Sequence, residues 1–169
     1  MLSRPDEDKS FVSPKGNFRI HYKKSGSNAP EYDLNELADA LDYSYEYEIN
    51  NLNYEAPPSD GSEGGDDLYD IYIKDINDYG YTEFENNIGG ERYTSFMVID
   101  NDFSNNYTKG IEGAKVTVAH EFHHAIQGGS YAFRNADAYY HEMTSVTMEE
   151  LVFDEINDYY QYIRRYFYN

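Results

Sequence analysis

The chain of 169 residues contains no cysteine and no tryptophan. The lack of cysteine excludes disulfides, thiolate metal ligands and a cysteine nucleophile, so any bound metal must be held by His, Asp, Glu or carbonyl oxygen. The chain also lacks an apolar run near the roughly 20 residues that a membrane-spanning helix needs. Residues 1–10 have no apolar segment of the kind found in signal peptides. We therefore expect no membrane partner.

Basic residues are scarce, with 13 Lys and Arg against 32 Asp and Glu, which gives a net charge of −19. Such a surface repels phosphate, so nucleic acid is not expected as a partner. We interpret the acidic residues as a solvated surface, with a specific cationic partner as the alternative. Aromatic residues make up 17% of the chain, which is too many for a disordered protein, and the length predicts one domain.

The first half of the chain predicts strands and one helix. Residues 1–16 are polar and predict a loose N-terminal lead-in. Residues 17–24 alternate between apolar and polar side chains, as a half-buried strand does. Apolar residues recur at three-four spacing over 34–49, which predicts an amphipathic helix. Residues 68–76 and 93–100 are rich in aromatic and β-branched side chains and predict two further strands.

The second half of the chain predicts helices. One begins near Gly113 and runs to Gln127, where two glycines, Gly128 and Gly129, are expected to end it. Further helices are expected over about 137–153 and within 154–168. The order of elements predicts the α+β class, with a small mixed or antiparallel sheet packed against a helical layer.

Three of the five histidines in the chain lie between residues 120 and 124. In a helix, His120 and His124 are one turn apart on the same face, so each can offer a ring nitrogen to one zinc ion at about 2.0–2.1 Å. Glu121 is rotated by roughly 100° from His120. This is the H-E-x-x-H arrangement, in which zinc acidifies a bound water and the glutamate acts as general base.

Other interpretations of these histidines remain open. They could lie at the surface, or in the core bonded to carboxylates, since a buried imidazole without a partner is costly. His123 points away from the shared face. We expect His123 to be a structural residue or a residue that contacts and orients a metal ligand. The alternative is that His123 itself binds the metal.

A catalytic zinc needs a third protein ligand. One known pattern places a glycine three residues and a histidine six residues after the second histidine, but Gln127 and Ser130 occupy those positions. A carboxylate from the next helix is the alternative, and Glu142 follows His124 by 18 residues. Glu149 shares a helical face with Glu142, so it is the second choice, or an acceptor for an imidazole N–H. Weaker candidates are Asp137, His141 and Glu150.

Two segments, "TVAHEFHHAIQ" and "YYHEMTSVTMEE", give the chain a resemblance to the gluzincin clan of zinc metallopeptidases. The chain most resembles a group of secreted bacterial metallopeptidases, over roughly residues 16–160. The resemblance implies a single zincin-like catalytic domain over 17–169, one zinc ion and secretion. It also implies that His120, His124 and Glu142 are the zinc ligands and that Glu121 is the general base.

The second segment departs from the pattern of that group. Tyr139 stands where the group has tryptophan, and Met143, Ser145 and Thr147 replace glycine, alanine and tryptophan. These positions concern the packing of the helix that carries the third ligand. The departures put the substrate preference in doubt, not the metal.

The gluzincin resemblance further implies an edge strand beside the cleft, to which an extended peptide adds by main-chain hydrogen bonds. Strand 93–99 is the candidate, with an ordinary core strand as the alternative; its substrate-facing residues would be Thr94, Ser95, Phe96 and Met97. A tetrahedral intermediate also needs a hydrogen-bond donor besides zinc. The candidate donors are Tyr131, Tyr139, Tyr140, His141 and Tyr159.

Two loops, 60–67 and 100–106, gather oxygen ligands among glycine and asparagine residues. They suit calcium, with solvated turns as the alternative.

The sequence as a whole predicts a zinc-dependent endopeptidase that acts on a protein or peptide substrate. One alternative is a binding module in which zinc is only structural, which requires a fourth protein ligand such as His123 or Glu149. The other is a zinc hydrolase that acts on a non-protein amide.

Overall fold

The structure, a computed structural model, describes residues 3–167, with side chains through Ile163. Its sheet has five strands in the order β1-β2-β3-β5-β4. Strands β2, β3 and β5 are parallel to one another, and the outer strands β1 and β4 pair antiparallel with their neighbours. The strands are β1 Lys9–Val12, β2 Phe18–Tyr22, β3 Tyr69–Lys74, β4 Gly80–Gly89 and β5 Arg92–Asp100.

Four α-helices complete the described part of the chain, and none of them is both long enough and apolar enough to cross a membrane. Helix α1 continues into a π-helical segment, and α3 is preceded by a short 3-10 turn. The segments are α1 Leu34–Tyr45, the π-helix Glu46–Asn51, α2 Gly110–Ser130, the 3-10 turn Asn135–Asp137, α3 Ala138–Val152 and α4 Tyr160–Phe167.

The main core lies between one face of the sheet and helices α1 and α2. Phe18 of β2 and Phe122 of α2 are fully buried there, with ring centroids 5.3 Å apart. Burying a side chain of this size contributes about 1.5–3 kcal/mol. The Phe122 face of α2 is thereby held against the sheet, which turns the histidine face outward. The structure confirms the α+β class with a mixed sheet and a helical layer on one face.

The opposite face of the sheet is covered by the N-terminal segment. The guanidinium of Arg4 lies 5.2 Å from the ring centroid of Phe96. It forms ion pairs with three carboxylates, those of Asp60, Asp70 and Glu85. Residues 9–12 form β1. Over the described residues 3–16 the prediction of a loose lead-in (1–16) is therefore wrong, because long-range ion pairs and strand pairing order this part of the segment.

Strand β5 is an interior strand between β3 and β4. The prediction that residues 93–99 form an edge strand is therefore wrong, and Thr94, Ser95, Phe96 and Met97 are buried. Strand β4, which the sequence patterns did not predict, occupies that edge of the sheet. It carries polar residues such as Glu83, Glu85 and Asn86, as exposed edge strands often do.

Helix α2 does not end at Gly128 and Gly129 but continues to Ser130. Both glycines are sites of close approach. A Cβ atom at Gly128 would lie 2.0 Å from Cε1 of Phe84, and one at Gly129 would lie 2.4 Å from Cδ of Pro58. The glycines therefore serve the packing of the helix against β4 and the 57–58 loop, not its termination.

We expect Gly128→Ala to destabilise the protein, although helix propensity alone favours alanine by about 1 kcal/mol. The added methyl group would displace the Phe84 ring, which packs on Phe133 with centroids 4.7 Å apart. Overpacking of this kind costs about 1–3 kcal/mol. Urea unfolding measures the change. In a Phe84→Ala background the same substitution should become stabilising, and a stabilising Gly128→Ala in the native background would contradict the contact.

Candidate metal centre

Helix α2 presents two imidazole rings on its outward face. The Nε2 atoms of His120 and His124 lie 3.1 Å apart, and the ring centroids lie 4.8 Å apart. The four-residue spacing places the rings one turn apart on the same side of the helix. Because Phe122 faces the core, the pair is held at the surface of a cleft with both Nε2 atoms directed to one point.

Helix α3 brings a carboxylate to the same point. Oε2 of Glu142 lies 3.4 Å from Nε2 of His120, and Oε1 lies 3.3 Å from Nε2 of His124. Donors on a tetrahedron around zinc, each about 2.0–2.1 Å from the ion, are roughly 3.3 Å apart. The two distances to Glu142 involve different oxygens. One donor atom from each of the three side chains can be chosen so that all lie within 4.8 Å of one another, so the group could hold one metal ion. Among the described residues, they are the one group of His, Asp or Glu with this convergence.

The other ring nitrogens of the two histidines have acceptors. Oε1 of Glu149 lies 2.5 Å from Nδ1 of His120, and Oε1 of Gln127 lies 2.9 Å from Nδ1 of His124. Acceptors at both Nδ1 atoms place the N–H groups there, which leaves the Nε2 lone pairs for a metal. Such partners orient a ligand ring and raise its basicity.

Gln127 is a site residue that the sequence reasoning did not identify. Its Nε2 donates to Oγ1 of Thr144 at 2.7 Å and to the carbonyl of His141 at 3.1 Å. Those two bonds direct its carbonyl oxygen toward His124 and tie α2 to α3. The signal in the sequence is the three-residue spacing from His124, which places both side chains on one helical face.

The electrostatic field at this point favours positive charge. Burial lowers the pKa of His120, but hydrogen bonds to Glu142 and Glu149 outweigh burial and raise that pKa to about 10. Hydrogen bonds to His120 and His124 hold the pKa of Glu142 well below its ordinary value. A field that stabilises an imidazolium also attracts a metal cation.

We call His120, His124 and Glu142 the ligand group. Glu121 lies beside the ligand group but is not part of it. Its side chain is largely buried, and Oε2 accepts a hydrogen bond of 2.9 Å from Oγ1 of Thr82 in β4. The Thr82 hydroxyl is also 2.9 Å from the backbone carbonyl of Glu121. Thr82 therefore positions the carboxylate at the wall of the cleft. The sequence reasoning missed Thr82 because it missed β4.

The cleft extends to both sides of the ligand group. The cavity on one side, which we call the aromatic arm, has a volume of about 340 Å³. The cavity on the other side, which we call the acidic arm, has a volume of about 300 Å³. Both arms are bordered by Gly80, His120, Glu121 and Glu142. The aromatic arm is also lined by Tyr81, Thr82, Phe84 and Phe133. Further residues lining the acidic arm are Asp78, Tyr79, Thr117, Glu149, Asp158 and Tyr162. A third cavity of about 250 Å³ near Pro57 and Tyr69 contains none of the histidines.

His123 faces away from the cleft. Its Nδ1 lies 2.8 Å from Oε2 of Glu48, and its ring meets Tyr54 edge to face with centroids 5.2 Å apart. Burial lowers the pKa of His123 to about 4, so the ring is neutral at pH 7. The structure places it in contact with the π-helical segment, outside the ligand group.

None of the tyrosines, nor the histidine, considered as donors to an oxyanion is among the described lining residues of the two arms. Tyr131 packs against Tyr54, His141 stacks on Phe133, and Tyr159 contacts Tyr160. Tyr139 and Tyr140 are exposed on α3. The described linings of the two arms instead contain the phenols of Tyr79, Tyr81 and Tyr162.

The weaker ligand candidates and the calcium loops stand apart from the ligand group as well. Neither Asp137 nor Glu150 belongs to that group. Asp60 and Asp66 form ion pairs with Arg4 and Arg19. The carboxylate of Asp100 accepts bonds from the backbone N–H groups of Ile76 and Phe103. Protein donors thus engage both oxygens of Asp100 and at least one oxygen each of Asp60 and Asp66.

Comparison of the chain with protein-family models, with curated proteins and with solved structures found no match.

Proposed function

We propose that the protein is a zinc-dependent endopeptidase of the gluzincin type. The observation that carries the proposal is the convergence of His120, His124 and Glu142 at distances of 3.1–3.4 Å in an open cleft. Catalytic zinc sites supply three protein ligands and leave one position for water or substrate. The three-residue group has that composition.

Zinc held by this group would polarise a carbonyl and acidify a water. The role of Glu121 is to take a proton from that water and to return it to the leaving amine. Its carboxylate borders both arms and is oriented by Thr82. The hydrogen bonds of Glu149 and Gln127 keep the two imidazoles directed at one point, which maintains the geometry through the reaction.

An extended peptide is the substrate that the cleft favours. Gly80, Tyr81, Thr82 and Phe84 of β4 border the cleft, and the outer edge of β4 pairs with no other described strand. The free main-chain groups of such an edge can bind a peptide as an additional strand. A cleft with arms on both sides of the ligand group suits a chain that continues past the cleaved bond, which favours a peptide over a small amide.

The binding-module alternative requires a fourth protein ligand. His123 is bonded to Glu48, and Glu149 is bonded to the far nitrogen of His120. Neither side chain is in the ligand group. The geometry therefore favours an open metal position and a catalytic role.

Metal analysis tests the proposal. We expect about one zinc per chain by elemental analysis after dialysis, and hydrolysis of a mixed peptide library that chelation abolishes and added zinc restores. Cleavage within peptides, detected by mass spectrometry, distinguishes an endopeptidase from an amidase. A protein that binds no zinc, or that hydrolyses peptides equally well after complete chelation, would refute the mechanism.

A further inference from the structure

The acidic arm of the cleft concentrates negative charge next to the ligand group. Besides Glu121 and Glu142, which both arms share, it is lined by Asp78, Glu149 and Asp158. No Lys or Arg is among its described lining residues. Among the described residues, the arm therefore provides carboxylates and no cationic group other than the imidazole of His120.

Glu149 leaves a buried oxygen without a partner. The residue is only 5% exposed, and its Oε1 is engaged by His120. Among the described residues, its Oε2 has no hydrogen-bond partner. A buried carboxylate oxygen without a donor is costly, and the cost is relieved when a ligand supplies an N–H group. Glu149 lines the acidic arm, so a donor that enters this arm would lie next to the residue.

Asp158 supplies a second, rigid carboxylate in the same arm. It is 3% exposed, and Oδ1 accepts hydrogen bonds from Tyr79 at 2.8 Å and from Thr108 at 2.5 Å. Its Oδ2 accepts a bond of 2.5 Å from Gln161. These neutral donors orient the carboxylate but do not cancel its charge. Asp78, at the exposed rim, adds a third negative charge.

We propose that the acidic arm binds a basic side chain, lysine or arginine, of a peptide whose cleaved bond lies at the ligand group. The inference rests on the proposed function and adds a substrate class to it. The volume of about 300 Å³ is roughly ten times the share of one water molecule in the liquid, which is room for a long side chain. Val116 and Thr117 line the arm and contact the aliphatic stem, and the carboxylates receive the charged end.

The composition of the aromatic arm predicts that a basic residue is preferred on only one side of the cleaved bond. The aromatic arm is lined by Phe84 and Phe133, whose ring centroids are 4.7 Å apart, and it adds no carboxylate to those shared with the acidic arm. A basic side chain there would meet only the two shared carboxylates, so it would recover less of the hydration it loses than in the acidic arm. We therefore expect the basic residue on one side of the cleaved bond and an apolar residue on the other.

The test measures peptide binding, so it does not depend on turnover. N-acetylated fluorescent peptides with lysine or norleucine at one position are titrated against zinc-loaded Glu121→Gln protein, and that position is moved along the peptide on both sides of the cleaved bond. N-acetylation removes the terminal ammonium as a competing cation. We expect lysine to bind about tenfold more tightly than norleucine at one position, since hydrogen bonds to charged groups are among the strongest.

Three variants assign that preference to the arm. Asp158→Asn and Asp78→Asn should each remove most of the lysine advantage. Asp75→Asn, the same change on an exposed residue of the same loop outside the arm, should leave it intact. Asp78 is exposed, so Asp78→Asn still measures the contribution of the arm to lysine binding even if Asp158→Asn impairs folding.

Equal affinity for lysine and norleucine peptides at every position overturns the inference, even if the protein hydrolyses peptides. A lysine advantage that survives both Asp78→Asn and Asp158→Asn overturns it as well. A protein that binds lysine peptides through these residues but cleaves none would instead contradict the proposed function and support the inference.

Discussion

We expect replacement of Glu121 with glutamine to lower the rate of peptide hydrolysis by about 10²–10⁴-fold while zinc remains bound, because an amide cannot take the proton from water. Glu121 is outside the ligand group, so metal content should stay near one ion per chain. The Thr82 hydroxyl can still donate to the amide oxygen of glutamine, which preserves the position of the side chain. The readout is kcat for a fluorogenic peptide, with zinc measured on the same sample.

Glu112→Gln is the matched control for this substitution. Glu112 is an exposed glutamate in the first turn of α2, so it carries the same change on the same helix away from the cleft. Its activity should equal that of the native protein. Full hydrolysis by zinc-loaded Glu121→Gln would show that this carboxylate is not the general base.

We expect replacement of Glu142 with alanine to remove the third ligand of the proposed metal site with little effect on the metal-free fold. Its side chain is 63% exposed, and exposed substitutions usually change stability by no more than about 0.5 kcal/mol. Loss of a residue that only hydrogen-bonds to a metal ligand typically lowers metal affinity by about 10–100-fold. Loss of Glu142 should lower the zinc affinity by more than this. Because zinc stabilises only the state that binds it, the rise in Tm on zinc addition should also be lost.

Competition with a chromogenic chelator measures the affinity, and calorimetry with and without zinc measures the stabilisation. Glu155→Ala, at an exposed residue after α3, is the control and should behave as the native protein does. Native zinc affinity in Glu142→Ala would remove this carboxylate from the ligand set and weaken the catalytic proposal.

Local patterns predicted the helices and the position of the histidine pair well. The geometry of an α-helix alone places side chains four residues apart on one face, so His120 and His124 needed no tertiary information. Glu142 depends on how α3 packs against α2. The short connection between the two helices limits that packing, and a carboxylate near the start of α3 was therefore a reasonable expectation from sequence.

The sequence patterns did not predict strand β4 because its residues are those of an edge strand, with polar and apolar side chains mixed. Polar residues such as Glu83, Glu85 and Asn86 interrupt it, and such a sequence resembles a loop. Residues 94–100 are buried on both faces of the sheet, and a near-continuous apolar run of this kind is typical of an interior parallel strand. That signal was present in the sequence and argued against an edge position.

The errors at Gly128 and at the N-terminus share one physical cause. Glycine ends many helices, but here the deciding contact is Phe84 on a strand that is distant in sequence. Arg4 likewise depends on Asp70 and Glu85, which are 66 and 81 residues away. Local propensity contains no information on such partners, so tertiary contacts override it.

The open edge of β4 has a consequence for the behaviour of the protein in solution. The outer edge of β4 pairs with no other described strand, and an edge that can bind a peptide strand, as we propose, can equally pair with β4 of a second copy, which is a route to self-association. The net charge of −19 opposes that encounter, because like-charged copies repel one another. The acidic composition thus allows the strand edge to stay accessible while it keeps the protein soluble.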